Sequence, residues 1–210
     1  MEIMCCRFYM EISPKLRPII EEAQRSKLYT CHIAQNARPL TVEGEVFPGA
    51  MVPVLATGRS GRKSVFPMIW GFDVPGIKHR VANARCETAK EKKSFQESWA
   101  LHRCIIPASW YYEWEHVLSP SGESRTGRRY TVQPRDEEMT CLCGLYRMEN
   151  AFPHFVILTR EAGGAVSSLH NRMPLILPEK EINRWIDPGA DPHFVLNAAL
   201  EKMICIEVGS

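Results

Sequence analysis

Short apolar segments, each ended by a proline, a glycine or a polar turn, make up most of this 210-residue chain. Val65–Phe72 is one such segment, and the turn-forming residues 73–76 (Asp-Val-Pro-Gly) end it. Tyr111–Val117 and Tyr130–Gln133 are expected to pair as strands across the polar turn Ser119–Gly127. Further strands are predicted at Cys104–Ile106, Cys141–Met148, Phe155–Thr159 and Met203–Val208, and Val46–Leu55 is expected to be extended but interrupted by its prolines.

Helical patterns are fewer, and they fall irregularly between these strands. A helix is predicted to open at residues 13–14 (Ser-Pro) or, because of Pro18, nearer Arg17. Glu87–Leu101 is predicted to be a helix that buries Phe95 and Trp99. The apolar stripe of the first helix is Leu16, Ile19, Ile20 and Ala23, and two short late helices are expected near Pro178 and after residues 191–192 (Asp-Pro).

Lys27–Ile33, between the first helix and the first strand, is expected to be a short strand or a loop. The order of all these elements along the chain predicts the fold class. Many short strands with scattered short helices favour an α+β protein. We therefore expect a single domain over residues 1–210, built on a mainly antiparallel, barrel-like sheet with flanking short helices.

Composition excludes some classes of protein. The chain is 45% hydrophobic and 24% charged, which is ordinary for a globular protein, and no apolar run is long enough to cross a membrane. No signal peptide is evident, so a cytoplasmic location is expected. The eight cysteines are then expected to be reduced, and their spacing does not predict a structural zinc site.

Cys5 directly follows Met4 near the start of the chain. If Met4 were the initiator, or if residues 1–4 were removed, Cys5 would carry a free amine beside its thiol. Those two groups can close a five-membered thiazolidine ring on an aldehyde carbon, which an internal cysteine cannot do. The position of Cys5 therefore indicates either covalent chemistry on an aldehyde or an accident of sequence.

Glu113 and His170 are candidate acid–base groups. Glu113 lies between tyrosines and Trp114, and apolar surroundings would raise its pKa toward neutral. The alternative, a strand glutamate facing solvent, is equally consistent with the sequence. His170 precedes Asn171 and Arg172 and could shuttle protons, or it could be an ordinary surface histidine.

Asn83 and Arg85 alternate and would face the same way on an extended segment, where an amide and a guanidinium could grip a sugar and a phosphate. Asn83 could equally be a turn residue, and Glu87 is best explained as a helix-starting carboxylate. Trp70 could pack in the core or stack on a nucleic-acid base.

Five segments together resemble the SOS response-associated peptidase (SRAP) family. They are Met-Cys-Cys-Arg at 4–7, Trp-Gly-Phe at 70–72, Asn-Ala-Arg-Cys-Glu at 83–87, Arg-Cys-Ile-Ile-Pro at 103–107 leading to Tyr-Glu-Trp at 112–114, and His-Asn-Arg-Met-Pro at 170–174. They occur in the family's order, and the resemblance as a whole runs from Met4 to about Trp185.

The resemblance implies a DNA-damage protein that senses abasic sites in single-stranded DNA and forms a covalent thiazolidine crosslink. It implies no cofactor, a cytoplasmic, nucleoid-associated location when DNA is bound, and action as a monomer.

Residue by residue, the resemblance implies that Cys5 is the nucleophile and that Asn83 orients its amine. It also implies that Glu113 moves protons at the sugar ring oxygen and that His170 assists ring opening. Phosphates would be bound by Arg7, Arg85 and Arg172, Trp70 would be a stacking or wedge residue, and Pro48 would correspond to a family proline.

Two departures from the family pattern bear on the chemistry. Cys6 stands where the family has glycine, and Met1-Glu2-Ile3 precede Met4. Three explanations stay open: translation starts at Met4, the protein removes its own first four residues, or this member only binds single-stranded DNA. We expect residues 1–4 to be absent or removed in the mature protein.

Overall fold

The structure is a computed structural model that describes residues 7–36, 39–118 and 124–209. Within these residues the strands are β1 (Phe8–Met10), β2 (Gly44–Val46), β3 (Met51–Thr57), β4 (Lys63–Trp70), β5 (Asn83–Arg85), β6 (Arg103–Ala108), β7 (Trp110–Leu118), β8 (Ser124–Pro134), β9 (Thr140–Glu149), β10 (Phe152–Glu161), β11 (Arg172–Pro174), β12 (Ile176–Leu177) and β13 (Met203–Val208). The helices are α1 (Leu16–Arg25), α2 (Lys27–Asn36), α3 (Cys86–Ala89), α4 (Gln96–Leu101), α5 (Ile182–Ile186) and α6 (Val195–Ala198), with 3-10 turns at Gly164–Ser168, Glu179–Glu181 and Pro192–Phe194.

A closed barrel forms the centre of the described fold. Strands β10, β4, β3, β6 and β9 pair in that order, and β9 pairs back with β10 to close the ring. Every pairing in the ring is antiparallel except β4 with β10, and the inner side chains form a continuous apolar core. The predicted α+β, barrel-like, mainly antiparallel fold is confirmed.

A second, antiparallel sheet lies beside the barrel in the order β13-β8-β7-β1-β2. The chain passes between the two sheets at Ser109, which separates β6 in the barrel from β7 in the second sheet. The predicted pairing of Tyr111–Val117 with Tyr130–Gln133 is confirmed, with both strands longer than expected. Part of the predicted turn, residues 119–123, lies outside the described residues.

The prediction for Lys27–Ile33 was wrong, because helix α2 covers this segment. Ser26 explains the error. Its hydroxyl accepts a hydrogen bond from the backbone N–H of Tyr29 at 3.2 Å, as the side chain of a helix N-cap does. The same hydroxyl donates to the Ala23 carbonyl at 2.8 Å, so one serine joins the end of α1 to the start of α2.

The single helix predicted over Glu87–Leu101 is two short helices, α3 and α4. Phe95 and Trp99 are buried as expected, but so is Ala89. Ala89 and Phe95 are six residues apart, and that spacing puts them on different faces of a continuous helix. The exposed, charged segment 90–93 lies between α3 and α4 and lets both residues face the core.

Arg103, in the family-like segment 103–107, is buried and joins several elements. Its guanidinium donates to the carbonyls of Trp185 at 2.8 Å, Trp99 at 2.9 Å, Ala100 at 2.6 Å and Ala190 at 3.0 Å. It also donates to the carbonyl of Asp187. Arg103 therefore ties β6, α4, α5 and the loop after α5 together, which is a structural role.

We expect Arg103→Met to lower the free energy of unfolding by about 3–5 kcal/mol, because the substitution leaves buried carbonyls without donors. Urea denaturation would measure the loss. Arg59→Met, in the exposed loop between β3 and β4, is the control and should change stability by no more than about 0.5 kcal/mol. Equal midpoints for the two variants would contradict the role of Arg103.

No helix in the described ranges is long and apolar enough to cross a membrane.

Candidate active site

The N-terminal strand lies directly beside the strand that carries Glu113. Phe8 in β1 is paired with Tyr111 in β7, and the Arg7 carbonyl accepts a hydrogen bond from the Tyr112 N–H at 3.0 Å. Arg7 is the first described residue, so Cys5 and Cys6 lie outside the described part of the chain. The backbone thus brings Arg7 and Phe8 alongside Tyr111 and Tyr112.

Glu113 is buried, with 2% of its surface exposed. Burial raises the pKa of Glu113 to about 8, although the Trp114 N–H, which donates to Oε1 at 3.2 Å, acts in the opposite direction. The other oxygen, Oε2, has no hydrogen-bond partner among the described residues. The sequence was equally consistent with a buried and with an exposed Glu113 carboxyl, and in the structure this carboxyl is buried.

His170 is also buried, with 3% of its surface exposed. Its Nδ1 accepts a hydrogen bond from the Arg172 N–H at 2.8 Å, so the neutral ring carries its proton on Nε2. The ring meets that of His116 edge to face, with 4.3 Å between centroids. The structure therefore excludes the alternative of an ordinary surface histidine.

A backbone contact joins the His170 segment to the Glu113 strand. The His116 N–H donates to the Leu169 carbonyl at 2.9 Å. A β-bulge interrupts the pairing of β7 with β8 between Trp114 and His116, and bulges often re-aim side chains beside functional sites. Glu113 and His170, two buried acid–base groups, thus belong to adjoining segments.

Asn83 and Arg85 are the first and last residues of β5, so the segment is extended, as predicted. Ala84 between them is buried, whereas Arg85 is exposed and Asn83 is half-buried. Strand β5 runs parallel to β10, with Thr159 opposite Arg85. The predicted shared face of Asn83 and Arg85 is consistent with this burial pattern.

Arg172 forms an ion pair and hydrogen bonds with other residues of the protein. Its guanidinium forms a bidentate ion pair with Glu87, at 2.8 Å and 2.9 Å, and Nη2 also donates to the Thr159 carbonyl at 2.9 Å. Burial alone would raise the pKa of Glu87. The hydrogen bonds from Arg172 and from the backbone have the larger combined effect and lower this pKa to about 2. Glu87 therefore anchors Arg172, beyond the helix-starting role expected from the sequence.

Arg7 lies between two aromatic side chains on an exposed rim. Its guanidinium carbon is 4.4 Å from the centroid of the Phe47 ring and 5.1 Å from that of Trp114. Phe47 is 45% exposed and begins a turn in which Pro48 and Gly49 (φ +92°) take the central positions, the residue types that a type II turn favours. Pro48 is exposed, and its fixed backbone presents Phe47 to Arg7.

A groove of about 950 Å³ opens beside this rim, between β7, β8 and β13. Its lining includes Arg7, Trp114, Arg128 and Arg129, and also Glu115 and Glu207, which pair with Arg128. Open, arginine-lined surfaces with aromatic rings are suited to a nucleic-acid strand.

Trp70 lies entirely inside the protein, which corrects the expectation that it stacks on DNA. No part of its surface is exposed, its Nε1 donates to the Ala82 carbonyl at 2.9 Å, and its ring packs against Phe8 and Phe155. A base could not reach this indole without opening the core. The exposed aromatic residue of this region is Phe47, which the sequence did not single out because its exposure depends on the tertiary structure.

Four other cysteines are unsuited to nucleophilic chemistry. Burial raises the pKa of Cys86 and of Cys141 to about 12, and it also raises the pKa values of Cys104 and Cys143. The thiolate is the reactive form, so these thiols are inert core side chains. In the described part of the chain no group of three or more His, Cys, Asp or Glu side chains could hold a metal ion.

The described residues form an α+β barrel protein with two buried acid–base groups, Glu113 and His170, and an exposed arginine–aromatic rim. The sequence profile of the SOS response associated peptidase (SRAP) family matches residues 4–209. The chain therefore belongs to the SRAP family, and the resemblance inferred from its five segments is confirmed.

Related proteins agree with this assignment. The abasic site processing protein YoqW of Bacillus subtilis is 29% identical over 137 residues, covering 60% of this chain and 59% of YoqW. The abasic site processing protein YobE of the same species is 28% identical over 142 residues, covering 62% of this chain and 63% of YobE. The match thus spans less than two thirds of either relative.

A solved structure supports the fold. The crystal structure of a protein from Bacteroides thetaiotaomicron matches with a TM-score of 0.72 and 19% identity, covering 98% of this chain and 92% of that one.

Proposed function

We propose that this protein processes abasic sites in single-stranded DNA by forming a covalent thiazolidine crosslink through Cys5. The observation that carries the proposal is the buried Glu113, whose pKa is raised to about 8, on the strand that pairs with Phe8 and contacts the Arg7 carbonyl. The family assignment and the names of the two relatives support the abasic site as substrate. The proposed assembly is one domain over residues 1–210, acting as a monomer.

The chemistry begins with the masked aldehyde of an abasic deoxyribose. The protonated Glu113 donates to the sugar ring oxygen, and His170 assists the opening that frees the aldehyde. The Cys5 amine adds to the aldehyde carbon and water leaves, which gives a Schiff base. The Cys5 thiolate then adds to the same carbon, the nitrogen takes a proton, and the ring closes with a net loss of one water.

Proton acceptors are needed for these steps. A terminal amine has a pKa of about 7.7–8.0 and a thiol one of about 8.5, so both groups are mostly protonated at neutral pH. Glu113, which is a carboxylate once it has protonated the sugar ring oxygen, would accept these protons.

The other predicted residues take supporting roles in the proposal. Asn83 would orient the amine, and the exposed Arg85 would bind a phosphate directly. Arg172 would add positive charge and hold the His170 segment, since its guanidinium is already paired with Glu87. Phe47 and Trp114, with Arg7 between them, would take the base-stacking role that Trp70 cannot fill.

The crosslink requires a free amine on Cys5, so residues 1–4 must be absent from the active protein. We infer that the same site could remove them. The Cys5 thiolate would attack the Met4 carbonyl, the Cys5 amine would leave as a thioester forms, and water would hydrolyse that thioester. A cysteine-dependent autopeptidase of this kind fits the family's name.

Intact-mass spectrometry tests the proposal directly. The purified full chain would be measured before and after incubation with a single-stranded oligonucleotide that carries one abasic site. We expect a starting mass that begins at Cys5, then an increase equal to the mass of the oligonucleotide minus one water. A chain that begins at Cys5 and gives no increase would contradict the crosslink. Retention of Met1 with reversible binding alone would favour a non-catalytic DNA-binding module.

A further inference from the structure

Arg7 and Arg129 converge on a single carboxylate. Glu45 Oε2 is 3.1 Å from Arg7 Nη1, and Glu45 Oε1 is 3.4 Å from Arg129 Nη1. All three side chains are close to 30% exposed, so solvent and a ligand can reach them. One carboxylate cannot neutralise two guanidinium groups, and the cluster therefore keeps a net positive charge.

Aromatic rings hold both guanidinium groups independently of Glu45. Arg7 lies against Phe47 and Trp114, and Arg129 lies 5.1 Å from the centroid of the Tyr112 ring. Stacking on rings restricts the guanidinium groups and orients their N–H donors. The two arginines should consequently keep their positions when Glu45 is moved aside or neutralised.

The position occupied by Glu45 suits a phosphodiester. A phosphodiester group, like a carboxylate, presents two negatively charged oxygens to guanidinium donors. Arg7 and Arg129 both line the groove beside Trp114, and a strand whose base stacks at the rim would carry its backbone past them. Glu45 therefore resembles an internal substitute for a phosphate.

We propose that Arg7 and Arg129 form a clamp for one phosphodiester of the bound single strand, and that Glu45 occupies this clamp in the free protein and limits its affinity. The proposal rests on the proposed function, because the ligand is the same single-stranded DNA. It adds Arg129 as a binding residue and Glu45 as a competing residue that sets affinity.

Equilibrium binding to a fluorescent, unmodified single-stranded oligonucleotide tests the clamp without any crosslinking step. Arg129→Gln should weaken binding about three- to tenfold and reduce the slope of log affinity against log salt by about 0.7, the value for one lost contact on a single strand. Glu45→Gln should strengthen binding about three- to tenfold, because the competitor is neutralised and the net charge becomes more positive.

Glu21 and Arg25 provide the matched control. They form an exposed arginine–glutamate pair on α1, at 3.3 Å, and do not line the groove. Glu21→Gln and Arg25→Gln change net charge as the test variants do, so they reveal any effect of charge alone.

The outcomes separate the two proposals. Wild-type affinity and salt slope in Arg129→Gln, or weaker binding in Glu45→Gln, would overturn the clamp and leave the proposed function standing. Equal changes in the control variants would also overturn the clamp. A wild-type protein that binds no single-stranded DNA would overturn the proposed function, and the clamp with it.

Discussion

Glu113→Gln should slow formation of the abasic-site adduct by about 10²–10⁴-fold, the range typical of a lost general acid–base group. An amide fills nearly the same space but cannot donate a proton to the sugar ring oxygen or accept one from the amine. In the wild-type protein the protonated form disappears as pH rises through about 8. We therefore expect the rate to fall above about pH 8, and this fall should be absent in Glu113→Gln.

Single-turnover rates of adduct formation, read on denaturing gels from pH 6 to 9.5, would measure both effects. Glu97→Gln, an exposed glutamate in the first turn of α4, is the control and should react at the wild-type rate. A Glu113→Gln protein that reacts as fast as the wild type would rule out proton transfer by Glu113.

Glu113→Gln should slow the reaction, but it should raise the stability of the folded protein at high pH. The pKa of Glu113 is higher in the folded protein, about 8, than the ordinary glutamate value of 4.5. Its contribution to the free energy of unfolding is therefore fully present below about pH 4.5 and is lost as pH rises through about 8. Glu113→Gln, which stays neutral, should resist urea better than the wild type at pH 9 but not at pH 5. About 1.4 kcal/mol per pKa unit sets an upper limit of about 5 kcal/mol on this gain.

Cys5→Ala should abolish the stable adduct altogether while non-covalent binding of the same oligonucleotide survives. Without the thiol, the N-terminal amine can still form a Schiff base, but no ring can close and water reverses the linkage. Borohydride should therefore trap an adduct of Cys5→Ala that is lost when borohydride is omitted. Both proteins would be made with Met4 as the initiator, and their masses would be checked to confirm that residue 5 comes first.

The neighbouring thiol offers a matched control. Cys6→Gly restores the residue that the family pattern has at this position and leaves Cys5 intact, so the stable adduct should form at close to the wild-type yield. A stable adduct with Cys5→Ala that disappears in Cys6→Gly would transfer the nucleophilic role to Cys6. Loss of the adduct in both variants would show that the adjacent thiols act together.

Much of the site was predictable because its segments are local in the sequence. The five family-like segments indicated the SRAP family, and many short strands ended by turn residues, with scattered short helices, indicated a barrel-like α+β fold. The cap of α2 by Ser26 could also have been recognised, since a serine at that position is a local signal. The break between α3 and α4 was harder to predict from the sequence, because it depends on which side chains can be buried against the barrel.

Exposure and long-range pairing could not be predicted in this way. The sequence by itself determined the residue types that can move protons, attack an aldehyde and bind phosphate, because those properties belong to single side chains. Only the tertiary structure decided that Glu113 is buried with a raised pKa, that Trp70 is in the core while Phe47 is exposed, and that Glu45 lies between Arg7 and Arg129. Burial and charge pairing depend on strands that are distant in sequence, and their effects on pKa and affinity arise only when those strands meet.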